Sequence, residues 1–333
     1  MSIEFNRFKK KSLTKACAIY PKELDDILNG IKYKKLFQCK LKEDLLNFNG
    51  EQQNIDNYTY QVSNLITLNK TQIVSGSEEG IIKVWDLLSR QCLLTLDTEI
   101  AFINSLIKLS KTQIVSANFE STIIIWDLQT GTYLKTLKDY LHFLSCLAKI
   151  NKTQFISGGG DRTIRIWDIN NVRCLKKLEG HSLGVKCLVQ VSLSIIASGG
   201  RDKLIKLWDL NNGNCLDTFN GHTEEVHVLV KIDKSQIVSG SRDKTIKIWD
   251  YKNGNCIKTF IAHIKNVSCL VKINYSQLVI LGFDNFITIW DYRSGICIKT
   301  LNDSTILVNC IVKLNRTQIA TGTRQGSIIT LNL

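Results

Sequence analysis

No apolar run in this 333-residue chain approaches the roughly 20 residues a helix needs to cross a bilayer, so no membrane insertion is expected. No apolar segment follows the basic start MSIEFNRFKKK, as a secretory signal requires, which favours a cytoplasmic protein, or a nuclear one. The 11 cysteines include no Cys-x-x-Cys pair, and a disulfide framework does not suit a reducing compartment. What is present is a chain 44% hydrophobic, ample for a core, with a formal net charge of +13. A basic field of that size can hold a protein to nucleic acid or acidic lipid.

All six tryptophans stand on one comb: Trp85, Trp126, Trp167, Trp208, Trp249 and Trp290, each 41 residues from the next. Each is followed by aspartate, from Asp86 to Asp291, and a further step of 41 lands on Leu331, where the motif reads LNL. Each unit, such as SQIVSGSRDKTIKIWD at 235–250, holds two short β-rich runs around a Gly/Asp turn, with no helical apolar period. Seven such periods leave 46 residues at the N-terminus.

The repeat absorbs much of the composition. Cys92, Cys174, Cys215, Cys256 and Cys297 each follow their tryptophan by seven residues, and Cys146, Cys187, Cys269 and Cys310 by twenty. These are two repeat slots, in an outer and an inner strand, expected to hold small buried free thiols. Basic residues recur too: Lys83, Lys206 and Lys247 in the third strand, Lys176, Lys258 and Lys299 in the fourth, and Lys70, Lys111, Lys152, Lys234 and Arg316 between the first and second. Charge spread in this way reads as a solvated surface that also discourages edge pairing, so nucleic acid is not the favoured partner.

The tryptophan-aspartate ladder resembles the WD40-repeat family over about residues 58–333. The resemblance implies an all-β, seven-bladed propeller with four strands, a to d from the channel outward, per blade. In that family a His before strand a, a Ser or Thr in strand b, an Asp in the b–c turn and the strand-c Trp form a hydrogen-bonded set. Blade four carries it as His181, Ser198, Asp202 and Trp208, and blade five as His222, Ser239, Asp243 and Trp249. Buried indole, hydroxyl and imidazole groups each need a partner, so these residues are expected to be structural. No catalytic residue, metal or cofactor is expected. The other blades depart from the set: Ile280 takes the Ser slot of blade six, and Tyr140 the His slot of blade three. Blades one and two have Glu79 and Glu120 at the Asp slot, with Tyr58 and Glu99 at the His slot; blade seven has Ser304, Thr321, Gln325 and Leu331. Blades four and five are therefore expected to be the most rigid.

The last unit stops at strand c, so a closed ring needs its outer strand from the N-terminus. KLFQCKLK alternates between Lys35 and Lys42, and the segment Leu36–Leu41 is the expected closing strand. Residues 1–35 form an extension in which Pro21 to Gly30 reads as a short helix, with Pro in its first turn and Gly at its end. The domain proper is expected to span 36–333.

Propellers present their d–a and b–c turns on one rim, the top face. Positions there that the framework does not constrain carry Ile100, Phe102, Phe119, Leu141 and Phe143 on one sector. An opposite sector offers Lys186, Arg201, His227, Arg242 and Arg324, with Phe283 nearby. Exposed aromatic clusters and arginines mark contact surfaces. The expected function is therefore a non-catalytic scaffold, a monomeric propeller within a larger complex, that binds other proteins through a peptide or loop across the top face. The alternatives are a propeller recognising acidic or phosphorylated substrate peptides in a ubiquitin-ligase-type or signalling complex, and a basic scaffold in an RNA-containing assembly.

Overall fold

The computed structural model describes residues 53–333 except 57, 100–101, 139–141, 264 and 302–306. The helix expected at 21–30 and the segment 36–41 lie outside the described residues, as do Tyr140, Ser304, Ile100 and Leu141.

Within the described residues, seven four-stranded antiparallel sheets follow one another at the period of the tryptophans. Blade one is Val62–Thr67, Gln72–Ser77, Ile81–Asp86 and Cys92–Asp97, strands a to d. The a strands of successive blades touch in an unbroken cycle that returns from Val308–Lys313 to Val62–Thr67, forming the inner wall of a ring. Every b–c turn has one residue in the left-handed region, from Gly80 at φ 81° through Lys244 at 72° to Gly326 at 87°. That is the conformation a tight hairpin needs.

Strand b is buried on both faces, because each sheet is sandwiched between its neighbours: Ile73 and Val74 are adjacent and both wholly buried. The cores lie between blades. Val74, Ile82, Val84 and Leu96 of blade one pack with Ile103, Leu106, Ile114 and Trp126 of blade two.

The ring closes as expected in kind but through a different segment. Gln53–Asp56, not Leu36–Leu41, is the outer strand of blade seven, antiparallel to Ser327–Asn332 with Ile55 opposite Ile328. Ile55 is buried with Tyr58, Val62, Leu65, Ile73, Trp85, Ala320 and Ile328, a cluster joining the last blade to the first. The strand-d cysteines also differ from expectation. Cys92, Cys215 and Cys256 are exposed, because strand d is the rim of its sheet and has no further strand to cover it. The strand-a thiols of Cys146, Cys187 and Cys310 are buried, and burial pushes the Cys146 thiol up to about 12.

Each strand a carries a β-bulge at its second residue, between Val62 and Asn64 in blade one and at the same place in the other six. A bulge re-aims the extra residue and bends its strand. The seven bulge residues are Ser63, Asn104, Ser145, Lys186, His227, Ser268 and Asn309, a ring of side chains near the top of the inner wall.

Candidate binding site on the top face

The polar sets behind the top face are closed units. In blade four His181 Nδ1 lies 2.8 Å from Asp202 Oδ2, and His181 Nε2 lies 2.7 Å from Ser198 Oγ, which accepts the Trp208 indole N–H at 2.7 Å. Blade five repeats this through His222, Asp243, Ser239 and Trp249 at 2.8, 2.6 and 2.8 Å. Burial works to raise the Asp202 and Asp284 carboxyls. The bonds from His181 and His263, their charge, and backbone N–H donors outweigh it and hold both below the usual carboxylate range. Asp243 is depressed in the same way, with Thr245 adding a bond. The chain Ser198–His181–Asp202 has the outline of a catalytic triad. Its serine is wholly buried and already accepts the indole N–H, so no substrate carbonyl can reach it.

The departures from the set are repaired locally. In blade six, Ile280 is matched by Thr288 directly across the b–c pair. The Thr288 hydroxyl accepts the Trp290 indole N–H at 2.9 Å and lies 3.0 Å from His263 Nε2. In blade one, the Tyr58 hydroxyl takes the place of histidine, 2.7 Å from Ser75 Oγ, which accepts the Trp85 N–H at 2.6 Å. In blade three, Asp161 pairs with Arg165 at 2.6 Å, both nearly buried.

A second recurring bond builds the face itself. In every blade the N–H of the residue opening the b–c turn donates to the carbonyl two residues before the bulge: Phe119 to Phe102, Gly160 to Phe143, Arg201 to Gly184, Arg242 to Glu225, Phe283 to Asn266 and Arg324 to Leu307. The bond places two variable side chains side by side on each blade. Blade two brings Phe102 and Phe119 together, with ring centroids 6.0 Å apart. Phe119 then stacks on Phe143 of blade three at 5.2 Å and 3°. Gly160 makes that possible, since a Cβ there would stand 2.9 Å from the Phe143 ring. The Arg201 guanidinium lies over the Phe143 ring, 5.2 Å from its centroid.

The aromatic and basic sectors are therefore contiguous, not opposite. Phe102, Phe119, Phe143, Lys186, Arg201 and His227, with Asn104 and Ser145, line one depression of about 240 Å3. Phe119 is 54% exposed, which is unusual for a phenylalanine in a stack. Phe102 holds φ at 63°, a genuine outlier for a bulky side chain and a conformation that concentrates at binding sites. The Arg201 Nε–H in the depression is buried without a hydrogen-bond acceptor. Glu225 lies 3.4 Å from His227 Nε2. Burial and the Arg201 charge lower the Lys186 pKa; burial, then Lys186, lower that of His227.

The remaining expected residues fall around this site. Phe283 is edge-on to His227, with centroids 6.3 Å apart. Arg242 stands on the rim, half exposed and 3.8 Å from Glu225. Arg324 is exposed and does not line the depression. Sequence reasoning passed over Asn104 and Ser145. The signal for them was the 41-residue register they share with Lys186 and His227.

Four segments, residues 131–168, 172–209, 213–250 and 254–291, match the WD40 family (WD domain, G-beta repeat). No curated protein matches the chain. Among solved structures, the crystal structure of the computationally designed Ika8 protein is 27% identical, with a TM-score of 0.68 over 82% of this chain and 83% of that one. The molecule is a seven-bladed β-propeller. Four of its tryptophan-aspartate repeats match the WD40 family, whose propellers are typically protein-interaction scaffolds and generally non-catalytic.

Proposed function

We propose that the chain is a non-catalytic scaffold that holds a peptide segment of a partner protein in the top-face depression. An apolar or aromatic residue of the segment packs on the Phe119–Phe143 stack, and an acidic or phosphorylated residue meets Lys186, Arg201 and His227. One observation carries the reading: an exposed aromatic ladder and a cluster of three basic groups share a single depression, with the buried Arg201 Nε–H in it lacking an acceptor. An unsatisfied buried donor costs about 1–3 kcal/mol, and an anionic ligand would supply the missing acceptor through a charge-assisted bond. Aromatic and Arg side chains are also the residue types that dominate binding energy at interfaces.

Affinity purification followed by mass spectrometry tests it, with wild type beside Phe102→Ala/Phe119→Ala and Arg201→Glu. Each variant should lose the same subset of partners. Partner lists unchanged in both variants would sink the reading. So would a synthetic acidic-aromatic peptide ligand that binds the two variants as well as wild type.

A further inference from the structure

The other mouth of the ring is built from different chemistry. The last residues of the seven a strands are Thr67, Lys108, Lys149, Gln190, Lys231, Lys272 and Lys313, again 41 apart. Four of the five lysines reach back to the preceding blade: Lys108 donates to the Leu68 carbonyl, Lys149 to Leu109, Lys272 to Ile232 and Lys313 to Ile273. Each acceptor is the residue just past the end of a neighbouring a strand, so the ammonium groups stand around the channel rim. An ammonium has three donors, and the bond to the carbonyl uses one.

Lys231 breaks the pattern. The equivalent carbonyl, Val191, lies 3.3 Å from the Tyr251 hydroxyl, whose shorter bond, 2.6 Å, goes to the Lys234 carbonyl. Half-buried Lys231 has no hydrogen-bond or ion-pair partner among the described residues. None of the other four pairs with a carboxylate among those residues either. Just outside them, the exposed Lys70, Lys111, Lys152, Lys234 and Arg316 form a second set in the a–b turns. One carboxylate, Asp233, accompanies these ten cations in the a-strand ends and a–b turns, and it is occupied by the N–H groups of Ser235 and Gln236 at 2.8 and 2.7 Å. The aspartates of the c–d turns bond the N–H groups of their own turns, as Asp86 does those of Leu88 and Ser89, and keep their charge there.

We propose that this mouth binds a compact polyanion carrying several phosphate groups, seated on the inner lysines 108, 149, 231, 272 and 313. Like charges gathered in a closed ring repel one another, and a multivalent anion between them removes that cost while accepting the unused N–H donors. The inner set is half-buried and points around a rim, so a ligand must enter the mouth to reach it. A duplex or a membrane laid on the face meets the outer set alone. That outer set is interrupted at blade four, where Leu193 is 96% exposed, and at blade six, where Tyr275 holds the position.

Calorimetric titration of the full chain with sodium tripolyphosphate and with inositol hexakisphosphate tests this. Near-physiological salt screens charges beyond about 8 Å. Saturable one-to-one binding and a raised melting temperature are expected. Lys231→Gln should weaken binding about tenfold, the loss of one hydrogen bond to a charged group, and should melt like wild type without ligand because no protein bond is removed. Lys70→Gln/Lys111→Gln/Lys152→Gln should weaken it less than that single change. Absence of saturable binding overturns the proposal, as does affinity unmoved by Lys231→Gln. Tighter binding of a single-stranded RNA, lost with the outer triple variant, overturns it in favour of an extended nucleic-acid surface.

Discussion

Thr288→Val isolates the logic of the buried polar sets, because valine has the shape of threonine without its hydroxyl. Thr288 is 6% exposed, and its oxygen serves both the Trp290 indole and His263 Nε2. Removing it strands two buried polar atoms, each costing about 1–3 kcal/mol, so the variant should lose about 2–5 kcal/mol. For a domain of this size that corresponds to a melting temperature lower by about 5–15 °C. Thr288→Ser keeps the hydroxyl and should lose only about 1 kcal/mol, the value of a buried methyl group. The decisive arm is Ile280→Ser on the valine background, since Ile280 sits opposite Thr288 in the slot that Ser198 and Ser239 hold. It returns an oxygen to strand b, so the double variant should be at least about 1 kcal/mol more stable than the sum of the single losses. Urea unfolding followed by tryptophan fluorescence reads wild type, the three single variants and the double variant. A Thr288→Val variant within about 0.5 kcal/mol of wild type, or single losses that simply add, would refute the reasoning.

Closure is tested by Ile55→Ala, which opens a cavity at the junction of blades seven and one and should cost about 2–5 kcal/mol. Leu88→Ala, at 80% exposed in a blade-one turn, should leave the melt unchanged, and equal melts for the two would remove the closing role of Gln53–Asp56. Acid should weaken the ring. Asp202, Asp243 and Asp284 have folded pKa values below their unfolded ones, so their contribution is present above about pH 4 and is lost as pH falls through the folded values. Stability measured from pH 5 down to about 2 should drop, and less steeply in Asp243→Asn; identical slopes would contradict the assignment. Gly160→Ala should push the Phe143 ring off its stack. It should therefore reduce capture of the partners that depend on Phe119 with little change in melting, and full capture would show the stack to be incidental.

Much of this molecule is legible in one dimension, but unevenly. The tryptophan comb defined seven units because each indole is buried against the preceding blade, as Trp126 is with Val74 and Leu96, and burial at a fixed radius demands a fixed pitch. His181, Ser198 and Asp202 were readable for the same reason: a buried polar group fixes its partners at set separations. The closing strand was misplaced because alternation favours KLFQCKLK, whereas Gln53–Asp56 is four residues long and offers one buried apolar side chain, Ile55. Thr288 escaped notice because a hydroxyl moved from strand b to strand c leaves the expected slot empty and fills one where Lys83 and Lys206 otherwise stand.

The sequence alone determined the number of blades and the polar sets that hold blades four and five together, since those depend on contacts repeated at one spacing. Only the tertiary structure decided which segment seals the ring and where the variable residues meet. The bulge residues Lys186 and His227 line the depression, and the backbone bond from the blade-two b–c turn lays Phe119 against Phe102. The ring's curvature then carries Phe143 and Arg201 from neighbouring blades into the same depression. Distances between residues 41 or more apart depend on how the sheets twist and close, and no local pattern encodes that geometry.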